Sequence, residues 1–391
     1  MKKTVFFLAV LLFTQCTSNS KKEASEIPKI DVSRNYPERE VFLQDVAKVE
    51  YIPLETNDNT LISSNSRIVY VSDNYIIVIN LTQGDIFVFD GQGKSKFSFN
   101  NKGQSGTEYG YVSSIAFDEK AKEIFVSDRY SAIPRFLVYT EDGKFKRTFP
   151  FPPDFSPSEI YSYNDELLLV YDVFGLNQDN YSNKPYLLLS KNDGSIVDTI
   201  GIHLPVRVSD RIRFEGEVNG QKSMVILQIF TFNNRSYGKD FLIADWSSDS
   251  IYRLTPTKEL QPVIVRTPPV QKSDPKMILS NSLITDKFVF LEKTVFDFEA
   301  AKNSSSIPSK DLMYDFETGQ LNEYKLFNKD YKERSVGFTA AITSKNTGVY
   351  TLDVFRLLEA DETGKVTGDL KPLLKTLDEE DNPILVKVTF F

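Results

Sequence analysis

Ile115-Ala116-Phe117-Asp118, then Ile124-Phe125-Val126-Ser127-Asp128, then Arg135-Phe136-Leu137-Val138-Tyr139 and the turn Asp142-Gly143-Lys144 set three apolar runs and a tight polar reversal in one short stretch. The middle run closes on a single acid. Five other runs close in the same way on an acidic or amide residue: 76–80 on Asn80, 167–172 on Asp172, 241–245 on Asp245, 289–292 on Glu292 and 349–353 on Asp353. Most are followed by a second apolar run and a turn. A unit of several strands that recurs every few tens of residues cannot bury both its faces alone, so its copies must stack. The repeat therefore predicts an all-β, single-domain array of six blades.

The turns set the register of the repeat. Gly93, Gly143, Gly194, Lys258, Gly319 and Gly364 mark equivalent hairpin slots rich in residues that accept positive φ, with steps of 50, 51, 64, 61 and 45 residues. The uneven steps place insertions on a regular scaffold. An open array would leave a bare sheet edge at each end, so ring closure into a β-propeller is favoured. The segments 49–54 and 384–390 are both strand-like and are expected to complete the sixth blade together. The inner strand of blade four is expected at 225–232, that of blade six at 336–342, and a hairpin turn at 362–365.

The chain has 391 residues, 41% of them apolar and 13% aromatic, enough for a large core. Its net charge is −8, with the basic residues scattered. Without a stripe of Lys and Arg there is nothing to neutralise a phosphate backbone, and nucleic acid is excluded as the expected partner. The first residues are a different object. Lys2 and Lys3 precede a nine-residue apolar stretch, 5–13, which has the layout of a secretory signal and is too short to span a bilayer. Cys16, the only cysteine, follows directly, in the position of the acceptor cysteine of bacterial lipoproteins. The expected organisation is a signal peptide over 1–15, a flexible tether over 16–40 rich in Ser, Lys, Glu and Asn, and a propeller over 41–391.

Unit two resembles an NHL-type propeller blade, and the preceding Gly103-Gln104-Ser105-Gly106-Thr107-Glu108-Tyr109 is similar to the glycine-rich linker leading into such blades. With Val49-Glu50-Tyr51-Ile52-Pro53-Leu54-Glu55 and Asn382-Pro383-Ile384-Leu385, the chain resembles the six-bladed β-propeller lipoproteins of Bacteroidota. That resemblance implies the fold and an outer-membrane envelope location, without defining an activity.

Two kinds of chemistry are compatible with the scaffold. Asp128, Asp172, Asp245, Glu292 and Asp353, with Asn80, would lie at one level of the ring if their strands are equivalent. Converging carboxylates there could hold Ca²⁺ and support a metal-assisted hydrolase or lactonase. The competing reading, which the once-per-blade repetition favours, is that each side chain accepts hydrogen bonds from the turn after its own strand. His203 is the only histidine, no Gly-x-Ser-x-Gly elbow occurs and no phosphate loop is present, so imidazole and serine chemistry lack their parts. The expectation is a noncatalytic binding module for a protein or glycan at the cell envelope, held to the membrane by a lipid anchor. Loops carry recognition on rigid scaffolds, and Tyr181, Arg235, Tyr237 and Phe296 are the candidate contacts. Trp246 directly follows Asp245 and is explained equally by blade packing.

Overall fold

The computed structural model describes residues 27–172, 184–202, 204, 207–208, 211–218, 221–228, 234–304, 306–339, 341 and 344–391. Cys16, Tyr181 and His203 lie outside them. The chain is a single-domain six-bladed β-propeller. Blade 1 runs from Ser66–Val71 to Ser95–Phe99, blade 2 from Ser114–Asp118 to Phe145–Pro150 and blade 3 from Glu159–Ser162 to Ile196–Thr199, each a four-stranded antiparallel meander. Blade 4 spans Arg235–Tyr237 to Leu260–Thr267 and blade 5 spans Lys276–Ile284 to Leu321–Phe327. Blade 6 pairs Thr347–Leu352 with the C-terminal Ile384–Phe390 and, outside that, with Ala47–Pro53.

Six apolar clusters hold the ring, each drawn from two successive blades. Ile77 and Val88 of blade 1 meet Phe117 and Val126 of blade 2, and the pattern repeats around the circle. The sixth cluster packs Val349 and Leu385 of blade 6 against Ile68, Val78 and Phe87 of blade 1, which closes it. Since both faces of a blade are covered, its second strand reads as an uninterrupted apolar run; every residue of Tyr75–Asn80 is buried. The outer strand has one open edge and alternates, as Ser95–Phe99 does. Closure is as expected from the two chain ends: Phe390 pairs with Ala47 and Ile384 with Pro53.

The marker turns also hold, in five blades. Gly93, Gly143, Gly194 and Gly319 take φ between 69° and 83°, and Lys258 stands at the same slot with φ 68°. The sixth marker does not. Gly364 follows an α-helix, Val354–Glu362, that with the short helix Leu370–Leu374 covers the cluster between blades 5 and 6. Its positive φ serves a helix end, where glycine is equally favoured, so the turn expected at 362–365 is absent.

Three further differences have physical causes. The stretch 16–40 is not all tether: Lys29–Asp31 adds in parallel to the outer strand of blade 4, and Glu38–Phe42 does so to blade 5, giving both blades a fifth strand. Backbone hydrogen bonds hold these segments, which is why exposed Glu38, Arg39 and Glu40 sit comfortably in one. Of the segment expected to start blade 4 at 225–232, residues 225–228 belong to a separate hairpin, Arg211–Val218 with Gln221–Gln228, whose Ile212, Phe214, Val225 and Leu227 pack against Phe296 and Ala301, and 229–232 lie outside the described residues. That hairpin accounts for the long step between Gly194 and Lys258. Finally, of the strand expected at 336–342, residues 336–339 occupy the inner position of blade 6 without forming a strand, while 340 and 342–343 lie outside the described residues. It keeps isolated bonds only, from Val336 N to Leu326 O (2.6 Å) and from Thr339 N to Val349 O (2.8 Å).

Candidate functional site

The acids that close the second strands act mainly as caps. Asn80 Oδ1 accepts from the backbone N–H of Thr82 (3.1 Å) and Gln83 (3.0 Å). Asp245 Oδ1 accepts from Ser247 N (2.8 Å), and Asp353 Oδ1 accepts from Arg356 N (3.0 Å) at the helix that replaces a turn. Asp128 reaches further. It accepts from Gly110 N and Tyr111 N of the preceding linker, both at 3.2 Å, and from Ser131 Oγ at 2.8 Å. Asp172 sits where Arg207 Nη2 donates to its carbonyl oxygen (3.0 Å). Among the described residues no three His, Cys, Asp or Glu side chains come together as a metal site would require.

Towards the axis, blades 3 and 4 share a satisfied polar network. Glu159 Oε2 accepts from Asn234 Nδ2 (2.9 Å) and from the Tyr161 hydroxyl, and Asn234 Oδ1 accepts from Tyr186 Oη (3.1 Å). Tyr171 donates to Asp245 Oδ2 (2.9 Å) and stacks on Tyr186 with ring centres 4.5 Å apart. Burial raises the Glu159 carboxyl above its ordinary range, against the pull of its donors.

The opposite side of the axis is built differently. Where the described residues of blade 6 form no inner strand, a cavity of about 890 Å³ opens beside blade 5 and extends to the inner strands of blades 1 and 4. That volume falls within the roughly 300–1,000 Å³ of ligand sites. Glu292 is the one of the six closing residues whose strand does not stop: Phe288–Phe296 runs on past it. Its register partners are Ser280 on one side and Asp311 on the other. Two carboxylates thus face each other across adjacent strands, and neither has a hydrogen bond or ion pair among the described residues. Asp311 is exposed on the cavity wall and Glu292 is half-buried. Restricted hydration first, and then the Glu292 charge, push its carboxyl up to about 6. Tyr324, on the fourth strand, lies close enough that burial and then these two acids hold its phenol well above the ordinary range.

Asn281 forms the next part of the wall. It is 1% exposed, and neither its amide nitrogen nor its amide oxygen has a partner among the described residues. Arg235, 8% exposed, also faces the cavity; one Nη donates to Thr339 O (2.7 Å) while Nε has no partner among the described residues. Arg334 stands in the same wall.

The candidates from the loops separate here. Arg235 is on the inner strand of blade 4 and lines the cavity. Tyr237, two residues on, instead donates to Asp286 Oδ1 (3.1 Å) with Lys345 Nζ 5.0 Å above its ring, a bridge between neighbouring blades. Phe296 is a packing residue under the hairpin, and Trp246 packs on Ile278 beside it. Asn281, Asp311 and Arg334 have no counterpart in the sequence reading, since only strand register brings them to Glu292.

The fold and the cavity define a closed six-bladed propeller with one irregular blade junction. The chain belongs to the family described as a domain of unknown function, DUF4934, whose match spans residues 27–389. Among solved structures it is similar to a Bacteroides fragilis protein described as exported, with TM-score 0.61 and 18% identity over 94% of this chain and 100% of that one. It is also similar to a member of the DUF4221 family from Bacteroides vulgatus, with TM-score 0.45 and 9% identity over 88% of this chain and 97% of that one. No curated protein matches.

Proposed function

We propose that this chain is an envelope-anchored, noncatalytic binding module, tethered to the outer membrane through a lipid on Cys16, that holds part of a protein or glycan partner in the cavity beside blade 5. The observation that carries the reading is Asn281. A buried amide left without partners costs about 1–3 kcal/mol, and native chains seldom keep one that nothing ever satisfies. Its amide atoms are closed to solvent in this structure, and a shift of the side chain toward the adjoining cavity would let a ligand offering both a donor and an acceptor meet them. The similar exported protein of Bacteroides fragilis supports an envelope location, as does the signal-like start followed by Cys16.

The test is a thermal-shift screen of the full mature chain against panels of oligosaccharides and short peptides. A cavity ligand raises the Tm of the wild type, following RT ln(1 + [L]/Kd), and leaves Asn281→Leu unmoved. Equal shifts in both proteins, or none in either, overturn the reading. For the anchor, Cys16→Ala is expected to move the protein from the membrane fraction to the soluble one; retention in the membrane refutes it.

A further inference from the structure

From the guanidinium of Arg235 in the wall of this cavity, we infer that the ligand is an acidic glycan: the carboxylate of a hexuronic acid residue pairs with Arg235, and hydroxyls of the same sugar donate to Glu292 and Asp311. The inference rests on the cavity being a binding site and names what it takes. Arg235 is 8% exposed, and among the described residues its guanidinium makes one hydrogen bond, from Nη1 to Thr339 O (2.7 Å), and no ion pair. Thr339 lines the cavity too, so the guanidinium lies at the wall and not behind it. Its Nε is closed to solvent, which leaves the Nη side as the edge open to an anion. Of the acids, Glu159 acts on Arg235 most, but that carboxylate is taken up by Asn234 and the Tyr161 hydroxyl. Two other buried cations show the ordinary arrangement. Lys191 meets Asp118 together with Ser162 Oγ and Asn164 O, and Arg266 donates to the carbonyls of Pro268 and Met277. A buried charge without a counterion is costly, and bonds to a carboxylate are among the strongest that a guanidinium makes.

The rest of the wall selects the body that carries the carboxylate. Asp311 is exposed and Glu292 half-buried, so both keep water and need no cation; ionised, they are acceptors only, and a sugar hydroxyl can take the place of that water. Ser64, Ser282 and Ser309 add hydroxyls to the same wall. Tyr324 feels Asp311 and Glu292 on one hand and Arg235 on the other, which places it between the acidic and the basic part of the cavity. An acidic peptide would bring carboxylates without hydroxyls and set them against Glu292 and Asp311. A neutral sugar would leave Arg235 unanswered. A hexuronic acid carries both kinds of group on one ring.

The experiment is calorimetric titration of the full mature chain with trigalacturonate, trimannuronate and a hyaluronan tetrasaccharide, followed by the methyl ester of whichever binds and by N-acetyl-Gly-Glu-Gly-amide. The expected result is saturable binding of at least one uronate, at least tenfold weaker binding of its ester, and weak or no binding of the peptide. Arg235→Gln is expected to weaken that uronate at least tenfold and Asp311→Asn at least twofold; circular dichroism confirms that each is folded. Should Arg235→Gln fail to fold, the acid and its ester compared on the wild type still decide. Binding of none of the three uronates overturns the inference, as does equal affinity for acid and ester, or indifference to either substitution. Tighter binding of the acidic peptide than of every uronate overturns it as well. A neutral ligand found in the thermal-shift screen, lost in Asn281→Leu and unaffected by Arg235→Gln, would sink this inference while leaving the binding site standing.

Discussion

The junction between blades 2 and 3 and the junction between blades 5 and 6 use the same materials to opposite ends. At the first, two regular blades meet, and the one buried lysine there has all its needs met: Lys191 Nζ bonds Asp118 Oδ2 (2.5 Å), Ser162 Oγ (2.8 Å) and Asn164 O (2.5 Å). At the second, the inner edge of blade 6 is an irregular segment, and the polar groups of blade 5 that would have been covered face a cavity instead. A buried charge that is paired serves the fold. Charges and amides left unpaired in a cavity wall do not, and they make this junction the place to look for a ligand.

The comparison is broken most severely at the regular junction. Lys191→Met leaves Asp118 buried without its cation, and urea unfolding should register a loss of about 3–5 kcal/mol. A loss below 1 kcal/mol would mean that the junction is not held as described. Asp128→Ala comes next. It strands two backbone N–H groups and the Ser131 hydroxyl, for a cost of about 1–3 kcal/mol by the same measurement. At the irregular junction the sign should reverse. Asn281→Leu replaces an unsatisfied amide by a hydrocarbon of similar size and should gain about 1 kcal/mol in the absence of ligand; a clear loss would show that the amide is satisfied in solution.

The smallest effect is expected at Asp311, and it depends on pH. Its folded pKa, about 6, lies above the ordinary 3.8, so between these values the folded chain holds a proton that the unfolded chain has released. The group's contribution to stability therefore falls as pH rises from about 4 to about 6 and stays low above that. Because Asp311 is exposed, solvent screening reduces what that shift is worth, and Asp311→Asn should raise stability by roughly 0.2–1 kcal/mol at pH 8 and by almost nothing at pH 4. Melting curves of both proteins at the two pH values check this, and a gain that is the same at both rules it out.

The blades were legible in the sequence because burial on both faces writes itself as unbroken apolar runs, and the marker turns because positive φ restricts composition. Lys258 was readable from its slot alone. What escaped is what period and composition do not encode. Lys29–Asp31 and Glu38–Phe42 are polar strands held by one edge of backbone bonds, and nothing in Glu-Arg-Glu announces pairing with residues nearly three hundred positions away. The helix Val354–Glu362 did leave a trace: Val354, Leu357 and Ala360 fall at helical spacing and are buried. The candidate site was half visible. Glu292 stood out by repetition and Arg235 by its loop, whereas Asp311 enters only through the pairing of Phe288–Phe296 with Ser309–Asp315.

If Cys16 carries the proposed lipid, the two short parallel strands near the start of the chain set how the propeller stands at the membrane. Between Cys16 and Lys29 lie twelve residues, which reach roughly 40 Å at full extension. On the proposed anchor, the leash runs out at the outer rim of blade 4 and is then sewn along blade 5, so those two rims hang closest to the lipid and the far blades 1 and 2 point away. Tension on the leash would be borne in shear by the rim of blade 4 before it reached the seam in blade 6 that keeps the ring shut.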